Sequence, residues 1–253
     1  MKKSLLVFPA FTILSFVLVS FGFIHHEENN PPSPIANTGF AVAELYTSEG
    51  CSSCPPADEA VADISKKYAN VYVLGFHVDY WNYLGWKDEF SAAAYSQRQS
   101  HYAEVFNLNS IYTPQVVING KTQFTGSDRN QLQKTIETAL KSGGTNTINE
   151  LNAKGTDARN IAVTCKATIG ASEMLNMALV QLSAVSAVKR GENQGKRLEH
   201  INVVRDFKTF TNAPGLVTFS LPAGLSLKDC KIIAFAQNKS DLHVTGAADC
   251  VIQ

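Results

Sequence analysis

The stretch that most constrains this chain is Cys51-Ser52-Ser53-Cys54, set between a strand-like run and a helix-like run. The run before it, Phe40-Ala41-Val42-Ala43-Glu44-Leu45-Tyr46, is nearly all apolar. The run after it carries Ala57, Ala60, Val61, Ile64 and Tyr68 at helical spacing. Asn70 ends that helix, and Val71 to Val78 predicts a second strand. A strand, a helix and a strand of this length imply parallel strands joined by a right-handed crossover. Both strands then end on one edge, where open α/β sheets place their sites.

Two thiols three positions apart at a strand-to-helix turn can close a small disulfide ring. One sulfur attacks or is attacked and the other resolves, as thiol–disulfide exchange requires. The helix N–H groups favour thiolate at Cys51. Glu49, Asp58 and Glu59 act against this, because nearby anions raise a thiol pKa. Pro55 disfavours α geometry at Cys54, so the regular helix is expected to start later than in a standard redox turn. A structural bridge is the alternative. Half a zinc site is disfavoured, because no second Cys-x-x-Cys or Cys/His pair follows at ligand spacing.

The second strand ends in His77-Val78-Asp79-Tyr80-Trp81-Asn82-Tyr83-Leu84-Gly85-Trp86. Its aromatics either line a groove for an extended peptide or apolar ligand, or cover one end of the core. Asp88 to Phe106 reads as an inserted helix. Pro114 starts a strand that runs to Ile118, and Asn119-Gly120 marks a hairpin turn. Ser127 is expected to cap a last helix, Asp128 to Lys141, with Leu132, Ile136 and Leu140 on one stripe.

The order strand, Cys-x-x-Cys, helix, strand, helix, Thr113-Pro114, hairpin, helix resembles the thioredoxin-like fold. The resemblance implies that Thr113 and Pro114 lie against the cysteines and pair with a substrate backbone. Glu-Leu-Tyr-Thr-Ser-Glu-Gly-Cys-Ser-Ser-Cys-Pro-Pro, Phe-His-Val-Asp-Tyr-Trp-Asn-Tyr-Leu-Gly-Trp and Tyr-Thr-Pro-Gln-Val-Val-Ile-Asn-Gly together resemble a family of exported bacterial thioredoxin-like proteins that carries a domain-of-unknown-function label. The chain departs from ordinary thioredoxins in the Ser-Ser between the cysteines and the Pro-Pro after them. It has no aspartate at the thioredoxin buried-acid position, and Glu44 is one residue away in register.

Composition shifts after Ser142-Gly143-Gly144. Short alternating runs follow: Ile161 to Ile169, Ala178 to Val188, Ile201 to Phe210, Gly215 to Leu221, Lys231 to Gln237 and Leu242 to Val251. They predict a small antiparallel β-sandwich. The expected fold is therefore an α/β thioredoxin-like domain over 38–142, then a β-sandwich domain over 145–253. Arg190 to Lys196 reads as a solvated hairpin loop, with a contact to the first domain or a ligand as the other reading. Cys165 falls on a buried strand face as a free thiol. A turn centred on Lys239-Ser240 would place Cys230 opposite Cys250, and a Cys230–Cys250 disulfide is expected beside Cys51–Cys54.

Met1-Lys2-Lys3 and the apolar run Leu5 to Ile24 read as an export signal or anchor over 1–24, with a Pro-rich linker over 25–37. Export places the chain in an oxidising compartment, periplasmic or extracellular, with membrane contact only through that segment. Lys plus Arg equals Asp plus Glu at 22 each, so no basic field points to nucleic acid. No phosphate loop, nucleophile elbow or zinc-protease motif stands in the chain.

The leading function is thiol–disulfide exchange on protein thiols or with a redox partner protein, which needs no cofactor. Cys51 and Cys54 react, Thr113 and Pro114 pair with substrate backbone, and Tyr80, Trp81 and Trp86 hold its side chains. The alternatives are a copper-carrying protein using Cys51, Cys54 and His77, and a binding module stapled by a structural disulfide.

Overall fold

The computed structural model describes residues 39–144 and 148–253. The expected leader and linker lie outside the described residues, which all belong to one compact unit. The elements are β1 (Ala41–Thr47), α1 (Pro55–Lys67), β2 (Val71–His77), α2 (Ala93–Val105), β3 (Gln115–Ile118), β4 (Thr122–Thr125) and α3 (Arg129–Leu140). They continue as β5 (Ile148–Gly155), β6 (Asn160–Ala167), β7 (Glu173–Ala187), β8 (Arg197–Phe210), β9 (Leu216–Ser220), β10 (Cys230–Asn238) and β11 (Val244–Val251).

The expected thioredoxin-like domain with a separate small β-sandwich is overturned. Eight strands form one mixed sheet in the order β11-β10-β7-β8-β2-β1-β3-β4, and β5-β6-β9 form a second, three-stranded sheet. β8 lies parallel to β2 through Gly75 and Val203, so the large sheet runs through both halves of the sequence. The Asn119-Gly120 turn forms as predicted, with φ of 50° and 65°. It also docks on the other half: the Val244 N–H donates to the Asn119 carbonyl at 2.9 Å. A side chain at Gly120 would strike the Leu242 carbonyl, so that close approach requires glycine.

The separate-domain expectation fails because the inner strands are apolar on both faces. Leu175, Met177 and Leu179 of β7 pack under the three-stranded sheet with Ile161, Val163 and Phe219. Ala178 and Val180 face the opposite core, with Val42, Tyr46 and Phe76 of β1 and β2 and Tyr95 and Tyr102 of α2. Strand β1 is split the same way, with Ala41, Ala43 and Leu45 turned to α1 and α3. Thus α1, α3 and the small sheet cover one face of the large sheet, and α2 packs on the other.

One ion pair lies in the core beneath α2. Arg98 of α2 donates from Nε to Glu44 Oε2 at 2.6 Å and from Nη2 to Glu44 Oε1 at 2.9 Å. The Tyr102 hydroxyl donates to Glu44 Oε1 at 2.6 Å, and Arg98 also reaches Gln237 of β10 at 3.1 Å. The guanidinium lies over the rings of Phe76, Phe207 and Phe235. Burial would lower the Arg98 pKa, but Glu44 outweighs it and raises it. Burial first and Glu44 second raise the Tyr102 hydroxyl.

Three local expectations change. Asp128, not Ser127, caps α3, its side chain accepting from the Gln131 N–H at 2.9 Å. Helix α1 starts at Pro55 with Cys54 in αR geometry (φ −77°, ψ −40°), so Pro55 does not delay it. Cys230 and Cys250 are free thiols, as is the buried Cys165. Cys250 pairs across with Ile232 rather than Cys230. The turn centres later than Lys239-Ser240, and a bulge between Ala236 and Gln237 shifts the register further.

Arg98→Met leaves the Glu44 carboxylate buried and unpaired, and is expected to cost about 3–5 kcal/mol in urea unfolding. Alkylation of the unreduced, denatured protein is expected to label Cys165, Cys230 and Cys250 and spare Cys51 and Cys54. Labelling of Cys51 or Cys54, or protection of Cys230 with Cys250, contradicts the assignment.

Candidate functional site

β1 and β2 run parallel and in register, with Thr47 opposite His77. Their carboxyl ends therefore open on one edge. Cys51 and Cys54 form a disulfide there, closed across the turn that enters α1. Cys54 is the N-cap residue, its carbonyl accepting from the N–H groups of Ala57 at 2.8 Å and Asp58 at 3.2 Å. Ser52 and Ser53 are exposed, while both cysteines are 0% exposed. Ser53 Oγ lies 3.3 Å from Cys51 Sγ.

The cover over the cysteines comes from the far half of the sequence. The segment between β7 and β8, read from sequence as a solvated loop, folds onto the turn. Asn193 is fully buried and donates from Nδ2 to the carbonyls of Glu49 and Cys51, both at 2.9 Å. Lys196 Nζ donates to Asn193 Oδ1 at 2.9 Å. The Ser52 N–H donates to Glu192 Oε2 at 3.1 Å, and hydrogen bonds from Ser52 hold the Glu192 carboxyl below its ordinary pKa. Gly191 and Gly195 flank this contact at φ of 76° and 82°.

Behind the disulfide lies a buried cluster of carboxylates and imidazoles. His200 of β8 places Nδ1 3.4 Å from Asp58 Oδ1 and Nε2 3.6 Å from Glu49 Oε1. Burial alone would lower the His200 pKa, but the hydrogen bond to Asp58 and the charges of Asp58 and Glu49 outweigh it and push it up to about 10. Thr47 Oγ1 donates to Asp58 Oδ2 at 3.0 Å. The His77 ring stands 4.7 Å from the His200 ring, edge to face. His77 Nδ1 lies 2.7 Å from Asp88 Oδ2, which also accepts the Glu49 N–H at 2.9 Å. Burial raises the Asp88 carboxyl, but the His77 imidazole and the N–H groups of Glu49 and Phe90 outweigh it and hold it below its ordinary value. Glu49 and Asp58, expected to act on the cysteines, thus face a cationic imidazole.

The aromatic stretch is tied into the same edge. Trp81 Nε1 donates to Thr113 Oγ1 at 2.8 Å, and its Cβ packs so closely on Gly50 that a side chain there would meet it at 2.9 Å. Trp81 therefore bridges the residue before Cys51 and the residue before Pro114. The Thr113–Pro114 peptide bond is cis. Pro114 is buried near Gly126, where an added side chain would touch both Pro114 and Ala57 of α1. Trp86 Nε1 donates to Glu49 Oε2 at 2.6 Å. The Tyr80 hydroxyl lies 3.1 Å from Gln99 Oε1 of α2, and burial pushes its pKa up to about 12. Tyr83 alone among the aromatics of the stretch is exposed, at 78%.

Cys51, Cys54 and His77 do not converge as metal ligands. The sulfurs bond each other and His77 Nδ1 is on Asp88. Among the described residues no group of three or more His, Cys, Asp or Glu is placed to hold a metal ion. No helix among the described residues is long and apolar enough to cross a membrane.

Of the residues singled out in the sequence, Cys51, Cys54, His77, Thr113, Pro114 and the aromatics lie at this edge. Asn193 enters the sequence reading only within the Arg190 to Lys196 loop, and its contact with the turn follows that loop's other reading. His200 is not singled out there, although Leu198, His200 and Asn202 alternate onto the buried face of β8.

The crystal structure of an Agrobacterium tumefaciens protein superposes with a TM-score of 0.62 at 27% identity, over 83% of this chain and 93% of that one. The solved structure of HBP35 of Porphyromonas gingivalis gives a TM-score of 0.54 at 16% identity, over 85% of this chain and 76% of that one, a likeness of fold alone. No curated protein matches the chain. The family model described as "Protein of unknown function (DUF1223)" matches residues 42–237, and the chain belongs to that family.

Proposed function

We propose that this is an exported protein that exchanges thiols and disulfides with protein substrates through Cys51 and Cys54. The observation that carries the reading is the bond's position, closed across the turn that enters α1 at the edge where β1 and β2 end. A disulfide this local is a weak staple. The chain-entropy estimate for so short a loop is about 2 kcal/mol, near the low end for disulfides. Opening it leaves the β1–β2 pairing and the body of α1 in place. Cys51 is the sulfur a substrate thiolate attacks, and Cys54 is the leaving and resolving sulfur. Thr113 and Pro114 present backbone to the substrate beside Trp81, and Tyr80, Trp81 and Trp86 contact its side chains. The basic start and apolar run of 1–24 support export.

Full burial of both sulfurs favours the second reading, a structural disulfide in a binding module. The two readings differ in whether the 190–196 segment opens. In the exchange reading it swings on Gly191 and Gly195, releasing two hydrogen bonds from Asn193, each worth about 1 kcal/mol.

Thiol trapping of the full chain across a glutathione or dithiol series is expected to give a reduction potential between about −120 and −270 mV. A value below about −300 mV overturns the exchange reading and leaves the staple. Asn193→Ala is expected to speed reduction of the bond by roughly tenfold, because about 1–2 kcal/mol of closure is lost. An unchanged rate means that the segment does not gate the bond.

A further inference from the structure

We propose that Asp58, charged with a proton by His200, is the acid that protonates Cys54 when the Cys51–Cys54 bond opens. The proposal deepens the exchange reading and rests on it. Its basis is the placement of groups that the exchange reading leaves unused. Cys54 has helical geometry and Asp58 follows four residues later, its N–H bonded to the Cys54 carbonyl at 3.2 Å. Residues at that spacing share a helix face with their side chains adjacent. That spacing puts the Asp58 carboxyl on the face of α1 that begins at Cys54. Its other partners are Thr47 Oγ1 on Oδ2 and His200 Nδ1 on Oδ1.

His200 is held for this role. It is 3% exposed, comes from β8, and lies between two carboxylates that flank the cysteines in sequence. Burying an imidazole between Asp58 and Glu49 favours the imidazolium. His77, 4.7 Å away, is locked by Asp88 and keeps its buried Nε2 without a hydrogen-bond partner. Phe90, with Arg205 over its ring, closes the remaining side. A 230 Å³ cavity reaches Asp58 and His200, with Glu59, Arg197 and Glu199 on its rim. It gives the buried pair a route for proton return from solvent.

The step balances with the substrate thiol as the only electron source. A substrate thiolate attacks Cys51 Sγ. A new S–S bond forms there as the Cys51–Cys54 bond breaks, and that bond's electron pair leaves on Cys54 Sγ. The proton passes from His200 Nδ1 to Asp58 and from Asp58 to Cys54 Sγ. His200 is left neutral and Asp58 ionised as before. A solvent proton entering through the cavity restores the imidazolium. Asp58 is the catalytic residue in this step, and His200 is a positioning and proton-holding residue that acts through it.

The test is the rate at which dithiothreitol opens the bond in the full-length protein between pH 6 and 10.5, divided by the fraction of reductant thiolate. In the wild type this corrected rate is expected to hold level to about pH 9 and then fall about fourfold by pH 10.5, as His200 loses its proton at about pH 10. In His200→Gln it is expected to lie about 100-fold lower at pH 7, the low end of general-acid contributions, with the gap narrowing to about 25-fold by pH 10.5. A flat wild-type profile overturns the relay without any variant, so a His200→Gln protein that fails to fold leaves the test intact. Equal corrected rates in wild type and variant also overturn it. Dithiothreitol separates the two claims. A bond that glutathione poises but whose rate ignores His200 sinks the relay alone. A bond that only dithiothreitol opens, with the expected profile, sinks the exchange reading and keeps the acid.

Discussion

Within the unit that the described residues form, an arginine is buried where the two halves of the sequence meet. Arg98 comes from α2, Glu44 from β1 and Gln237 from β10, and the rings around the guanidinium come from β2, β8 and β10. The gross attraction of a close pair is several kcal/mol at an effective dielectric near ~20, and desolvation of each ion costs several more. The net contribution is therefore small. Arg98, Glu44 and Tyr102 all belong to the first half, so separating the halves leaves the pair joined but strips away Gln237 and the rings of Phe207 and Phe235 that cover it. Tyr102 and Gln237 add hydrogen bonds that satisfy the remaining carboxylate and amide positions.

The same strand that anchors this pair also builds the site, by alternation. Positions 42, 44 and 46 of β1 face the Arg98 core, whereas 41, 43 and 45 face α1 and α3. Thr47 continues the second series and reaches Asp58 on α1. Glu44 accordingly belongs to the core beneath α2 and not to the cysteines. The acidic group beside Cys54 comes instead from the helix that Cys54 caps, and its counter-charge comes from β8. A one-residue slip in β1 would exchange the two networks, so register here fixes both fold and chemistry.

What was legible in the sequence was local. The helical spacing of Ala57, Ala60, Val61 and Ile64, the apolar runs of β1 and β2, and the Asn119-Gly120 turn are each encoded within a few residues. What was not legible was pairing over long separations. Nothing near Gly75 announces that Val203 will lie beside it. The runs of β7 and β8 read as a sandwich because alternation over a few residues cannot tell a half-exposed strand from one with both faces covered. The Cys230–Cys250 pairing failed for a smaller reason, since the turn centres later than assumed and one extra residue in β11, opposite Ala236 and Gln237, shifts the register again.

The β7–β8 hairpin then accounts for what the second half of the chain does at the cysteines. Its strands join β2 to β10, its connecting segment delivers Asn193 and Glu192 to the outer side of the turn, and β8 delivers His200 to the inner side. Cover and counter-charge thus arrive from one hairpin, placed by the strand pairings that set β7 and β8 between β10 and β2. Most of the polar loop from Arg190 to Lys196 stays exposed, and only Asn193 is buried. Asn193 is buried because β7 and β8 carry the loop to the edge of β2, where the backbone carbonyls of Glu49 and Cys51 accept its amide hydrogens.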